Sequence, residues 1–235
     1  SDESVVEEVL FGELVNQLRP GTTVVDTSTV SPSYARATSI RLRASGIRRV
    51  EACVVGNPHM ARSGQLRVFT AGAESDVDDV GDVLDAISQE VRYLGPTGRA
   101  SVLKLAFNLL LGVQTAGLAE AVAFVESGGV DRELLLAALG NSGWGSPVLT
   151  FRAEFMRQRS YEPAGFRATL MHKDLRLVYE EAAAYGVALP LTGCTVERFG
   201  RVVLAGRGDE DAAVIVEFRS PTVHDTVAAS EATHG

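Results

Sequence analysis

Between Gly95-Pro96-Thr97-Gly98 and Gly128-Gly129 the sequence runs from Ser101 to Ser127 without a proline, almost wholly in Ala, Leu and Val. As a helix this stretch is a rod of about 40 Å at ~1.5 Å per residue, and a chain that holds such a rod must build the rest of its fold around it. Lys104, Asn108, Gln114, Glu120 and Glu126 are spread along it, which argues against a membrane span, because charges at the centre of a bilayer are costly. A helix apolar on most sides is expected to be covered by other helices or by a second subunit, so a homodimer or homotetramer through the helical half is expected.

The two sides of the Gly95–Gly98 turn differ in kind. Before it, an amphipathic stretch from Val5 to Leu18 ends at Pro20-Gly21. Strand-like runs follow at Thr22–Asp26, Val50–Val55, Leu66–Ala71 and Val91–Leu94, with helical composition at Tyr34–Ala44 and Val77–Ile87. After it, helical patterns cover Asp131–Leu139, Val148–Arg159, Thr169–Tyr185 and Leu191–Ala205. The expected fold is α/β: an α/β part over 1–98, an all-α part over 99–219 that begins with the long helix, and a disordered tail over 220–235.

Composition narrows the function. The 235 residues are 46% hydrophobic and 22% charged, as in a globular protein, and the formal charge of −8 with no basic patch disfavours nucleic acid and anionic lipid as partners. Cys53 and Cys194 are too few and too far apart for a disulfide framework or metal cluster, and the four histidines have no metal-ligand spacing. A reducing, cytoplasmic setting is the expectation, and the acidic start Ser1-Asp2-Glu3-Ser4 lacks the pattern of a secretory signal.

Four segments could carry chemistry. Asp26-Thr27-Ser28-Thr29-Val30-Ser31-Pro32 is a strand running through hydroxyl residues into a helix, where small side chains and free N–H groups can meet a ligand, or where Ser31 and Pro32 simply cap a helix. Glu51-Ala52-Cys53-Val54-Val55-Gly56-Asn57-Pro58 is a strand that turns sharply, exposing backbone. Lys104 and Asn108 stand four apart on one helix face. Apolar neighbours and the helix N-terminus would both lower the lysine's pKa and suit it to proton exchange; alternatively it snorkels to the surface and pairs with a carboxylate. Lys173-Asp174 is the fourth, a charged step in mid-helix. No G-x-G-x-x-G stands at a strand-to-helix turn in the sequence.

In order, these segments resemble the β-hydroxyacid dehydrogenase family, of which the 3-hydroxyisobutyrate dehydrogenases are the best known and to which 6-phosphogluconate dehydrogenases and imine reductases are related. Thr22–Pro32 resembles its Asp-x-Ser-Thr-x-x-Pro strand end, Glu51–Leu66 its substrate segment, Gly95–Asn108 its G-x-x-G…K-x-x-x-N helix, and Lys173-Asp174 its Lys-Asp pair. The resemblance implies a partial Rossmann-like domain over 1–98, followed over 99–219 by an all-α substrate and dimerisation domain with a long interdomain helix, in an NAD- or NADP-dependent oxidoreductase that exchanges a hydride with a small hydroxy acid or related carbonyl compound. Lys104 would be its acid/base, and Asn108 would position the same oxygen. It further implies that Thr29, Lys173 and Asp174 contact the cofactor and that Ser28, Gly56 and Asn57 line the substrate site. The family's Ala-Pro-Val-Ser-Gly-Gly reads Ala52-Cys53-Val54-Val55-Gly56-Asn57 here, with Val55 in place of the hydroxyl, which opens the reading to a bulkier carbonyl or, as in imine reductases, an imine. The family's glycine fingerprint belongs to βαβ units ahead of the matched segments, so an N-terminal portion lost or unrecorded is the expectation. A non-catalytic oligomerisation or regulatory relative is the alternative.

Overall fold

The computed structural model describes residues 2–140 and 142–219; the tail assigned to 220–235 lies outside the described residues. The chain separates into two compact units, one formed by Ser1–Leu110 with Lys173–Thr192 and the other by Leu111–His172 with Gly193–Gly235.

The first unit holds a four-stranded sheet of β1 (Thr23–Asp26), β2 (Arg48–Val55), β3 (Leu66–Ala71) and β4 (Ser88–Tyr93), ordered as in the sequence. β1 and β2 run parallel, β2 and β3 antiparallel, β3 and β4 parallel. All four strand-like runs therefore form strands, and the α/β reading holds. The period-two alternation of β2 divides its side chains between the two faces. Val50 and Ala52 pack with Leu66, Val68, Val77, Val80 and Leu84 in one core cluster. Cys53, from the opposite parity, packs with Ala71 and Ala100.

Helices flank the sheet. α1 (Glu3–Glu7) continues as a π-helical segment, Glu8–Leu14, whose wider turn is closed by the Val15 amide on the Leu10 carbonyl at 2.8 Å. The stripe expected from Val5 to Leu18 thus buries only Val6 and Leu10 fully, against Val30, Ala35, Leu42 and Ile47. α2 (Pro32–Ala44) starts as its sequence dictates: Ser31 Oγ accepts the Tyr34 amide at 3.1 Å and Pro32 occupies the first turn, where its missing N–H costs nothing. A short α3 (Pro58–Arg62) follows the strand β2. The single helix expected over Val77–Ile87 is two pieces, α4 (Glu74–Asp78) and α5 (Gly81–Ile87), because Gly81 is a poor continuation and the chain leaves helical geometry at Val80.

The long rod is present as α6 (Arg99–Ser127). Its length and composition would also suit a membrane span, yet Leu105, Asn108, Ala116, Leu118, Ala119 and Val122 are buried in the protein. The second unit contains the later part of α6, α7 (Arg132–Gly140), α8 (Pro147–Gln158), and parts of α9 (Ala168–Ala184) and α10 (Pro190–Leu204). It closes on a buried 3-10 turn, Ala212–Glu217. Asp211 anchors that turn: it pairs with Arg152 in the interior and accepts the Gly165 and Phe166 amides at 2.9 and 3.0 Å.

Candidate active site

The carboxyl end of β1 and one face of β2 organise the candidate site. On β2, Arg49, Glu51 and Cys53 alternate with the apolar core residues and so share one face. Each engages a different piece of chain.

Arg49 is buried and donates to Asp26 Oδ2 through Nε at 3.1 Å and Nη2 at 2.7 Å, while its Nη1 reaches the Ala35 carbonyl and Ser39 Oγ at 3.3 and 3.2 Å. The other Asp26 oxygen accepts the Ser28 amide at 2.9 Å. One buried carboxylate thereby turns the chain at the end of β1 and holds the Ser28-Thr29 loop.

Glu51, 1% exposed, reaches the start of α6. It accepts the Gly98 amide at 2.6 Å, the Ser101 amide at 2.5 Å and the Ser101 hydroxyl. The first N–H groups of a helix have no partner within it and carry its positive end, so a carboxylate is suited to this position.

Beyond that anchor the helix presents Lys104 and Asn108. The Asn108 amide nitrogen donates to Asp174 Oδ2 at 2.6 Å, and both residues are buried, at 4% and 2% exposure. Lys173 Nζ lies 2.8 Å from Asp174 Oδ1 and donates to the Thr29 carbonyl at 2.7 Å. Lys104 is half-buried and makes no hydrogen bond or ion pair among the described residues. Desolvation holds its amine below the usual lysine range, opposed by the charge of Asp174 and reinforced by that of Lys173. Burial raises Asp174 above the usual carboxylate range against the pull of Lys173, Lys104 and the Asn108 hydrogen bond. Cys53, also within electrostatic reach of Lys104, is pushed up to about 12 by burial and then by Glu51, and so stays a thiol.

Of the 22 basic residues in the chain only two are lysines, and both stand in this cluster. Arginine holds a proton at any ordinary pH, whereas a desolvated lysine can give one up. The cluster thus gathers both lysine amines of the chain around one carboxylate, with Lys104 the desolvated one.

The structure brings together Thr29, Lys104, Asn108, Lys173 and Asp174 from three separate stretches of chain, with Ser28 beside them on the Asp26-held loop. Gly56 and Asn57 follow β2 and make no hydrogen bond to the cluster among the described residues. Gly56 has φ 153°, and an added Cβ would lie 2.7 Å from Leu66 Cδ2. Asn57 Oδ1 caps α3 by accepting the Met60 amide at 3.0 Å. Of the supporting residues, Asp26 and Glu51 open segments that the sequence reading singles out but receive no role of their own there, and Arg49 lies outside those segments.

A mixed sheet with flanking helices and a helical second unit is a Rossmann-like domain with a helical extension. Residues 1–95 match the family model described as the NAD binding domain of 6-phosphogluconate dehydrogenase, and residues 98–218 the one described as NAD-binding of NADP-dependent 3-hydroxyisobutyrate dehydrogenase. The chain is 31% identical over 216 residues to the 2-(hydroxymethyl)glutarate dehydrogenase of Eubacterium barkeri, covering 90% of this chain and 72% of that protein. It is 29% identical over 218 residues to an L-threonate dehydrogenase of Escherichia coli O6:H1, covering 92% and 72%. The crystal structure of a 3-hydroxyisobutyrate dehydrogenase from Salmonella typhimurium superposes with a TM-score of 0.86 at 27% identity, over 93% of this chain and 76% of that one. The chain belongs to the 3-hydroxyisobutyrate dehydrogenase family of NAD(P)-dependent oxidoreductases acting on CH–OH groups.

Proposed function

We propose that this chain interconverts a small hydroxy acid and its carbonyl partner, with NAD or NADP as cosubstrate and Lys104 as the group that exchanges the proton. The observation that carries the reading is the convergence of the chain's two lysines on Asp174 and Asn108, with the Lys104 amine desolvated and in no ion pair among the described residues.

The loop after β1 fits the nicotinamide end of a dinucleotide. Its hydroxyl side chains, Ser28 and Thr29, and its main chain stand at the carboxyl end of a parallel strand, held by Asp26 from one side and by Lys173 from the other. Thr29, Lys173 and Asp174 would hold that end. NAD(P) supplies the hydride acceptor or donor when bound; the proton is the protein's business.

In oxidation, neutral Lys104 Nζ takes the proton of the substrate hydroxyl; in reduction, the ammonium returns it to the carbonyl oxygen. Asn108 commits one N–H to Asp174 and keeps its carbonyl oxygen and second N–H for the same substrate oxygen and the lysine. The Asp174 carboxylate favours the ammonium form of Lys104 by its charge. The backbone turn at Gly56 and Asn57, with Ser28, would line the substrate site, and Val55 makes its wall less polar than a hydroxyl would. The reaction belongs in the cytoplasm, where the nicotinamide pool is found.

Fluorescence titration with NADH and NADPH, followed by turnover assays over a panel of small hydroxy acids and their carbonyl forms, tests the proposal. Saturable binding is expected, together with turnover that Lys104→Ala lowers by about 10²–10⁴-fold while leaving cofactor affinity nearly unchanged. Absence of binding at millimolar cofactor would instead mark a non-catalytic relative.

A further inference from the structure

Glu51 is the largest polar side chain in the fully buried interior of the first unit, and the proton-exchange scheme above makes no use of it. Among the described residues it faces no arginine or lysine within ion-pair distance. Its carboxylate is spent wholly on the first turn of α6, through the Gly98 amide at 2.6 Å, the Ser101 amide at 2.5 Å and the Ser101 hydroxyl.

The spacing gives this contact its meaning. Ser101, Lys104 and Asn108 stand at i, i+3 and i+7, a single stripe along the helix. Backbone amides alone would fix where the helix starts. The added bond from the Ser101 side chain also fixes its rotation about its own axis, because that hydroxyl projects from the same stripe as the lysine. A rotation of about 20° would carry an amine roughly 7 Å from the axis by roughly 2.4 Å, enough to remove it from a reacting oxygen. The strand end of the fixture is equally firm. Glu51 pairs with Asp26 on β1 and with Ala71 on β3, so it sits in the middle of the sheet, in register with the carboxylate that holds the Ser28-Thr29 loop.

We infer that Glu51 is a positioning residue: through Ser101 it sets the rotation of α6 and thereby the placement of the Lys104 amine relative to the β1 loop. The inference rests on the proposed role of Lys104, and its test separates the two.

Because the chain has only two lysines, protein labelled with 13C in its lysine side chains gives two titration curves, assigned with Lys173→Arg. Glu51→Gln keeps size and removes the charge that gathers three donors. It is expected to move the Lys104 titration upward, toward an exposed lysine, to leave that of Lys173 in place, and to lower kcat by about 10- to 100-fold with the KM for cofactor within about twofold. Ser101→Ala removes only the hydroxyl donor and should shift the same curve in the same direction by less. A folded Glu51→Gln protein whose Lys104 titrates as in the parent overturns the inference, as does a parallel shift of both lysines, which would mean general loosening. Should Glu51→Gln fail to fold, an unmoved Lys104 curve in Ser101→Ala overturns it equally. A shifted amine in a protein that turns over no hydroxy acid upholds the positioning role and removes the proposed activity instead.

Discussion

At the residue scale the decisive quantity is the proton affinity of Lys104. Its amine lies below the ordinary lysine range because burial outweighs the attraction of Asp174. If it acts as base in oxidation, the rate should rise with pH through its lowered pKa and then level; in reduction, where the ammonium is needed, the rate should fall through the same pKa. Steady-state profiles in both directions check this, and Lys104→Arg should erase the shared limb. The same depression has a cost for folding. The unfolded chain keeps a proton that the folded one gives up between the lowered and the ordinary pKa, so stability rises with pH across that window. Lys104→Met should therefore be more stable than the parent at neutral pH, by about 1 kcal/mol, with the gap closing as pH approaches the ordinary lysine range. Urea melts at several pH values measure it. Asp26 makes the opposite case. It is buried with Arg49, and Asp26→Ala would strand that guanidinium, at about 3–5 kcal/mol of stability.

At the scale of elements, what could be read from the sequence followed from how local its cause is. The four strands and α6 are visible because their patterning is set within each segment. Lys104 and Asn108 were legible for the same reason, since one helix carries both. Asp174 joins them from 66 positions away in the chain; the order of motifs gave it only a cofactor contact, and no periodicity reports its meeting with Asn108. The short α3 was hidden in what looked like a plain turn, although Asn57 before Pro58 is a helix start, the side chain taking the Met60 amide. Glu51 was illegible because a charge in a buried strand announces only that a partner exists. The β2-to-α3 turn offers its own test. Gly56→Ala should cost about 1–3 kcal/mol, from strained backbone and contact with Leu66, read by chemical denaturation.

At the scale of the whole molecule, the second unit leaves large apolar side chains in water: Phe124, Leu134, Trp144 and Leu204 are 80%, 65%, 86% and 89% exposed. Scattered apolar residues are ordinary on a surface, but side chains of this size are more readily accounted for if another copy covers part of them. Sedimentation velocity is expected to give a dimer or tetramer, and Phe124→Glu to shift it toward the monomer; a parent protein that stays monomeric at tens of micromolar would refute the expectation.

The near-absence of lysine reaches beyond catalysis into handling. A chain with arginine almost everywhere else offers acylating tags, fixatives and amine-coupled sensor chips very few attachment points, and the side-chain ones lie where the chemistry is proposed to occur. Routine biotinylation or glutaraldehyde crosslinking would thus poison this protein where a lysine-rich homologue would be decorated harmlessly, and orientation on a surface is better achieved through the exposed Cys194 thiol.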